Sequence, residues 1–558
     1  MLTLAFHIQP AKADTGTITI NADGSITPSA APIYTADNIT YTLIGNITAP
    51  VNGNGIVIER SNIVIDGAGY WVQAWGYTTP AGIYLNQVSN VTVNNSTTNA
   101  YYGIYLNYSS GNTISQSLTT DCYYGIWLES SSNNTIIANS ISYSGYTDNS
   151  RFGIVLDFSN SNRISENNFT HTGLYVEGSF HNAVEDNTIN DEPLVYLEGV
   201  SNRTVANGGQ VVLVECENMT VEGINLSMAF YPIELWGTNN SMISQNNINN
   251  TLDGYGVWLA NCSNDYIFQN NITRNDDGMW LESCTNIDIH QNNIAANIDD
   301  ALSLRNCSDI SISENNITNS LDEGIYLDTC SNNTISGNYL SDAYGIWLEV
   351  SSNNTISGNN VTNCSDGIYL FVSSNNSILE NNIRNSWYDV AITSSSNNTA
   401  SGNNVADATN SGFFLSGFSW GNIISGNNIT GNPQGLWLFE SSGNSIFHNR
   451  FVNNGIQAIA NSSSVDVWDD GYPSGGNYWS DYNGTDLHSG PYQNQTGSDG
   501  IGDTPYVIDA NNTDHYPLMS NTIPEFPSPI ILSLCMIIAL FAVIVLRRRN
   551  MSRVGTKS

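Results

Sequence analysis

The residues best placed for chemistry are carboxylates that recur at a fixed interval. Asp276-Asp277, Asp299-Asp300 and Asp322-Glu323 stand 23 residues apart, and Asp366 continues the series. Each precedes a short apolar stretch, and a second set, Glu282, Arg305, Asp328 and Glu349, follows it. Carboxylates crowded in this way repel one another unless a cation neutralises them. Asp276, Asp299 and Asp322 are therefore candidate ligands for calcium, a hard ion that prefers several oxygens. Crowding also raises carboxyl pKa values, which is how acid/base pairs arise. Asp277, Asp300 and Glu323 are candidates for that role in a sugar lyase or hydrolase, with Arg305 binding a substrate carboxylate. The competing reading is a solvated acidic corner with no ligand.

Between the two acidic sets runs a series of rings. Trp258, Trp280, Tyr326, Trp347, Tyr369, Phe414 and Trp437 each hold the third place of the apolar stretch, as Tyr105 and Trp127 do earlier. At the centre of the series Ser303 replaces the ring. Aromatic faces in a row suit sugar rings, whose C–H faces stack on them, and they form an apolar patch that asks for a partner. They could equally stack on one another for stability or meet another protein.

Cys262, Cys284, Cys307 and Cys330 recur at intervals of 22, 23 and 23. That spacing allows a buried stack of small side chains, disulfides between neighbouring coils or a soft copper(I) site, the last weakened by the lack of His or Met partners. Near the end, Asp499, Asp503, Asp509 and Asp514 lie among Gly and Asn and suit a calcium loop, outside the EF-hand register. There is no P-loop, zinc motif, nucleophile elbow or complete glycosidase or pectate-lyase motif.

The elements that position these residues follow from the period. The stretch typified by Gly-Ile-Tyr-Leu begins at Gly256, Gly278, Ala301, Gly324, Gly345, Gly367, Asp389, Gly412 and Gly435, at intervals of 21 to 23. It also begins at Gly103, Gly125 and Gly153. Its second and fourth residues are aliphatic, so alternation points them to one interior face. Asn-Thr-Ile-Ser strands and Gly-Asn-Asn or Glu-Asn-Asn corners follow within each period, as at 333–336 and 358–360. Three short strands per turn, with Asn at corners where it can bond to the coils above and below, predict an all-β, single-stranded right-handed parallel β-helix of about 22 residues per coil. The expected order is a signal-peptide remnant (1–13), an N-terminal cap (14–55) and the β-helix (56–460), irregular near 190–230. A C-terminal cap (461–520), a stem (521–529), one transmembrane helix (530–546) and a basic cytoplasmic tail (547–558) follow.

Composition sets the class of partner. The net charge is −36, Lys and Arg total 14, and Arg547, Arg548 and Arg549 sit together at the far end. Nucleic acid is excluded, because binding it needs a basic face. With 40% hydrophobic and 11% charged residues the chain is not an acidic disordered tail. The apolar start with Ala11-Lys12-Ala13 reads as the end of a signal peptide. Ile530 to Leu546 is just long enough to cross a bilayer, and the following arginines place everything before it outside the cell. Sequons such as those at Asn168, Asn271, Asn316 and Asn428 would then be open to glycosylation.

Ile65-Asp66-Gly67-Ala68-Gly69-Tyr70, the Ser-x-Asn-Asn-Thr-Ile repeats and the segment Gly476-Asn477-Tyr478-Trp479-Ser480-Asp481-Tyr482 resemble the NosD-type β-helix proteins. So do residues 499–506 and 514–518. The resemblance spans about 14 to 520. It implies an archaeal surface β-helix within a superfamily that includes carbohydrate-binding proteins and sugar hydrolases, and it carries the description of periplasmic copper binding. Pro524-Glu525-Phe526 ahead of the apolar run resembles a PEF-type sorting signal, which implies that the helix is exchanged for a lipid. The expectation is a non-enzymatic cell-surface protein binding glycans or other envelope components through Trp258, Trp280, Tyr326, Trp347, Tyr369 and Trp437. It needs no cofactor, with calcium ahead of copper as a possible ion. A polysaccharide lyase or hydrolase and a copper-binding accessory protein are the alternatives.

Overall fold

The computed structural model describes residues 16–76, 78–143, 152–251, 254–460 and 465–520. The signal-peptide, stem, transmembrane and tail segments expected at 1–13 and 521–558 lie outside them. Among the described residues there is no helix; the chain is a parallel β-solenoid of about 19 turns. Most coils contribute a strand to each of three faces, and equivalent residues pair in register. Met279 lies over Leu302 and Val257, and Ile335 lies over Ile312 and Ile356.

Alternation explains the interior. In Ile325–Asp328 the Ile and Leu are fully buried while Tyr326 and Asp328 face outward. Each such aliphatic removed from water contributes about 2 kcal/mol, and stacking repeats that gain coil after coil. The corners follow the expected Asn logic. The Asn338 amide donates to Asn359 Oδ1 at 3.0 Å and to Ile312 O at 2.9 Å, and its own Oδ1 accepts from Asn315 at 3.0 Å. The same column continues through Asn381, Asn403, Asn427, Asn449 and Asn477. Just before this column the backbone turns left-handed, at Gly337, Gly358, Glu380 and Gly402, which is why Gly recurs there.

Within the segment expected as an N-terminal cap, residues 16–48 form a coil of their own. Ile18–Ile20 and Thr40–Leu43 stack in parallel on Ile56–Ile58 and Ile63–Asp66, and antiparallel partners, Ile26–Thr27 and Ile33–Tyr34, close the open edge. At the other end Trp479 pairs beside Phe451 and stacks on it at 4.4 Å, and Tyr506 stacks on Trp479 at 4.2 Å. The buried Asp514 carboxylate accepts from Asn477 N at 2.7 Å and Trp479 Nε1 at 2.9 Å, fixing the ring that plugs the core.

The stack is not continuous, and the break lies where the repeat is irregular. After Thr188–Ile189 the chain turns at Asn190 and Asp191, both left-handed, and returns antiparallel as Glu192–Glu198. A second stack starts there. The strand Gln210–Val214 is buried on both sides: Val211 and Leu213 enter the second core, while Val212 and Val214 enter the first. The end of the first stack thus rests on the outer face of the second. Side chains replace the missing next strand. Gln210 Oε1 accepts from Leu174 N at 3.0 Å, its Nε2 donates to Leu174 O at 2.8 Å, and Glu234 Oε1 accepts from Val176 N at 2.9 Å.

Candidate functional site

The outward side of the Gly-Ile-Tyr-Leu face carries every candidate residue outside the C-terminal module. Two columns lie side by side on it: the residue just before the strand's first position, and the third residue of the strand. In the coils at 277, 300 and 323 the first column is acidic. Carboxylate oxygens of Asp277, Asp299 and Asp300 lie within 4.8 Å of one another, as do those of Asp300, Asp322 and Glu323. The backbone helps to hold them. Asp277 Oδ1 accepts from Asp300 N at 2.8 Å and Asp300 Oδ1 from Glu323 N at 3.0 Å, while the Ser303 hydroxyl donates to Asp300 Oδ2.

Burial and mutual repulsion keep protons on this cluster. Burial, reinforced by Asp300, Asp299 and Asp276, pushes Asp277 up to about 9. Burial and the hydrogen bond that the protonated Glu323 donates to Asp300 push Glu323 up to about 9. Asp299, more exposed, rises to about 6 through burial and the neighbouring Asp300, Asp322 and Asp276. Asp300 also shifts up through burial, opposed by its bonds with Glu323 and Ser303. At neutral pH the site therefore combines protonated and ionised carboxyls side by side. It can donate a proton, accept one, or present oxygens to a hard cation.

The structure gathers Asp276, Asp277, Asp299, Asp300, Asp322 and Glu323 and separates Arg305 from them. Arg305 lies on the far side of Ser303, half-exposed, with Nε 3.5 Å from Asp328 Oδ2 and Glu282 beside it in register. Ser303 does not open a notch, being only 1% exposed. In the C-terminal module the acids brace turns. Asp503 accepts from Leu487 N and His488 N, both at 2.9 Å, Asp499 from Ile501 N at 3.1 Å, and Asp509 from Asn511 N at 2.7 Å.

Of the rings expected to bind ligand, Trp280, Tyr326, Trp347, Tyr369 and Trp437 are half-buried on this face. Trp258 is 4% exposed, covered at the junction by Tyr175 and Tyr231. The third-position series is interrupted at Ala391 as well as Ser303. Adding the first column restores a continuous seam. Tyr84, Tyr105, Tyr102, Tyr124, Phe152, Tyr175, Tyr231, Tyr255 and Trp280 follow one another with ring centroids 4.8–5.4 Å apart. The seam crosses the junction between the two stacks and stops at the acidic cluster. Its first-column members have a sequence signal, an aromatic residue directly before Gly, as in Tyr102-Gly103, Tyr124-Gly125 and Tyr255-Gly256. A second run of acids, Glu129, Asp157 and Glu177, flanks the seam in the first stack, with Tyr175 Oη 3.1 Å from Glu177.

The family model described as periplasmic copper-binding protein (NosD) matches residues 6–147, 47–207 and 341–484, more than half of the chain. The chain belongs to the NosD family. A model described as right handed beta helix region matches 198–339 and 231–381 of this NosD-family chain, the part that holds the acidic cluster. No curated protein matches it in sequence. Among solved structures it is similar to the A-module of the Azotobacter vinelandii mannuronan C-5 epimerase AlgE4, at 13% identity over 74% of this chain and 91% of that one, with a TM-score of 0.27. It is similar to the periplasmic alginate epimerase AlgG at 10% identity, 78% of each chain and 0.25, and to the Dettilon tailspike protein at 14% identity, 66% of this chain, 63% of that one and 0.31. At these scores the similarities say nothing of activity.

The copper in the family description meets no fitting donor set among the described residues. The cysteines are free thiols in a buried column and already have partners. Cys284 Sγ donates to Glu282 O at 3.3 Å and Cys330 Sγ to Asp328 O at 3.2 Å, while Cys307 Sγ accepts from Cys284 N at 3.4 Å. Ser351 takes the next place and makes the same bonds, to Leu327 O and Glu349 O. The metal-capable groups of three or more among the described residues are the two carboxylate sets, which suit hard cations better than copper(I).

Proposed function

We propose that this NosD-family protein is an exported carbohydrate-binding β-helix that receives a glycan chain along its aromatic seam. The observation that carries the reading is that seam: nine rings in unbroken contact, all but the buried Tyr231 partly exposed, ending at a polar cluster. Rings stacked on one another by a rigid sheet present a preorganised apolar border, so little ordering is needed on binding. Surface location rests on the family description together with the apolar run at 530–546, which would attach the protein to a membrane directly or after exchange for a lipid. The reading needs no cofactor; calcium is the ion the carboxylate sets would take.

The test is retention of the full-length protein on a panel of insoluble polysaccharides. Retention by at least one, lost on Trp280→Ala and Tyr255→Ala, is expected. Retention by none, or retention that these changes leave intact, would overturn the reading.

A second reading, glycan cleavage as a lyase or hydrolase, is favoured by one observation. Asp277 and Glu323 hold protons up to about 9 beside Asp299 at about 6, a division into acid and base. Release of reducing or unsaturated sugar ends that Asp300→Asn abolishes would establish it.

A further inference from the structure

We infer that the glycan this face accepts carries free amino groups: an extended amino-sugar polymer bound as a polycation, in preference to a uronic acid polymer. The inference rests on the carbohydrate reading and adds the chemical class. Three observations lead to it.

The first is sign. On all strands of the seam-bearing face, from Ile18–Ile20 to Ile456–Ala460, Arg305 is the single cationic residue. Its guanidinium is already engaged by Asp328. A polyanion laid on this face would meet carboxylates with nothing to offset them, in a chain of net charge −36.

The second is register. The partly exposed Glu282, Asp328 and Glu349 occupy one column beside the rings, interrupted by Arg305, and Glu129, Asp157 and Glu177 hold the same place in three successive coils of the first stack. Coils rise by about 4.8 Å, close to the length of one pyranose unit in an extended chain. A polymer lying along the coil axis thus places about one sugar per coil, and its ammonium groups meet these carboxylates at the spacing of the coils. A neutral glycan would use the rings and leave the acids uncompensated.

The third is that rings and acids are built as one surface. Tyr326 Oη donates to Glu349 at 2.6 Å and Tyr175 Oη to Glu177 at 3.1 Å, and Tyr105 is bonded to Glu129. Carboxylates at ring edges and electron-rich ring faces both favour a cation.

The experiment measures equilibrium binding of three hexamers to the full-length protein: β-linked glucosamine, its fully N-acetylated form, and galacturonate. At low salt the glucosamine hexamer is expected to bind at least ten-fold more tightly than the N-acetylated one, with the advantage shrinking at 0.5 M salt, and the galacturonate hexamer least. The combined Glu282→Gln, Asp328→Asn and Glu349→Gln variant keeps the oxygens that accept from Tyr326 and Arg305 and should level the two glucosamine forms. Trp280→Ala should weaken both. Equal or tighter binding of the N-acetylated or galacturonate hexamer would overturn the amino-sugar inference and leave the carbohydrate reading standing if Trp280→Ala still weakens it. Binding of none would overturn both.

Discussion

Gln210 holds Leu174 by both of its backbone groups. The amide oxygen accepts from Leu174 N at 3.0 Å and the amide nitrogen donates to Leu174 O at 2.8 Å, so a side chain from one stack completes the edge strand of the other. The amide also donates to Tyr231 O at 2.8 Å. An open parallel edge is a pairing hazard, and here two side chains, Gln210 and Glu234, remove it.

Gln210→Leu should therefore deprive three backbone groups, Leu174 N, Leu174 O and Tyr231 O, of this partner, at about 1–3 kcal/mol for each left buried and unpaired. The expected result is loss of hydrogen-exchange protection at the Leu174 amide and a first stack that unfolds ahead of the second. A single cooperative transition with full protection at Leu174 would refute the role of this clasp.

Stability should fall as pH rises. In the folded chain Asp277 and Glu323 keep their protons up to about 9, whereas an unfolded chain releases them near about 4. Between those values the folded state binds more protons than the unfolded, so the slope of stability with pH is negative. Asp265 and Asp389, each pushed up to about 8 by burial, act in the same sense. Thermal midpoints measured from pH 4.5 to 9 should decline, and Asp277→Asn with Glu323→Gln should flatten the decline.

The cysteine column should tolerate serine. Cys284→Ser and Cys307→Ser reproduce the hydroxyl bonds that Ser351 makes at the next place, so each is expected to cost less than about 1 kcal/mol. Cys284→Leu should cost about 1–3 kcal/mol by overpacking. Copper bound by the purified protein, measured by elemental analysis, should not change with the serine variants.

Asn338→Ala removes five ladder hydrogen bonds: three given by its amide to Asn359, Ile312 and Ser336, and two from Asn315 to its oxygen, while the backbone N–H keeps its bond to Asn359. With the surviving backbone bond set aside, the loss should reach several kcal/mol, at about 1 kcal/mol for each bond broken and more for groups left buried and unpaired. Asn316→Ala, one place on in an exposed position, should cost less than half as much. Chemical denaturation of both variants compares them directly.

The repeat was legible because every level of the sequence repeats it: Ile325 and Leu327 for the core, Asn338 for the corner, Gly337 for the turn. The acidic cluster was legible for the same reason, since equal intervals place Asp277, Asp300 and Glu323 over one another. Four things escaped. Ser303 reads as a gap but is closed over, because a missing ring lets Asp300 turn in to meet the hydroxyl. Arg305 reads as a neighbour of the acids, yet two residues along a strand carry it to the other side of Ser303 and onto Asp328. The junction showed only as a broken period near 190–230. Its physical signal was the run Val211–Val214, apolar at every residue, which a strand shows when both of its faces are covered. The first-column rings were missed because alternation was counted inside the strand, while Tyr102, Tyr124 and Tyr255 stand just before its Gly.

The second stack begins at the Glu192–Glu198 strand, followed by the doubly buried Gln210–Val214, and is closed at the other end by Trp479 on Phe451. Between these terminations coil after coil repeats the same parallel strand pairing. Whole coils can therefore be gained or lost in that interval while both terminations stay as they are. Reach becomes a matter of copy number: the arm works as a ruler graduated in single coils, and its lineage could lengthen or shorten it one graduation at a time without redesigning either end.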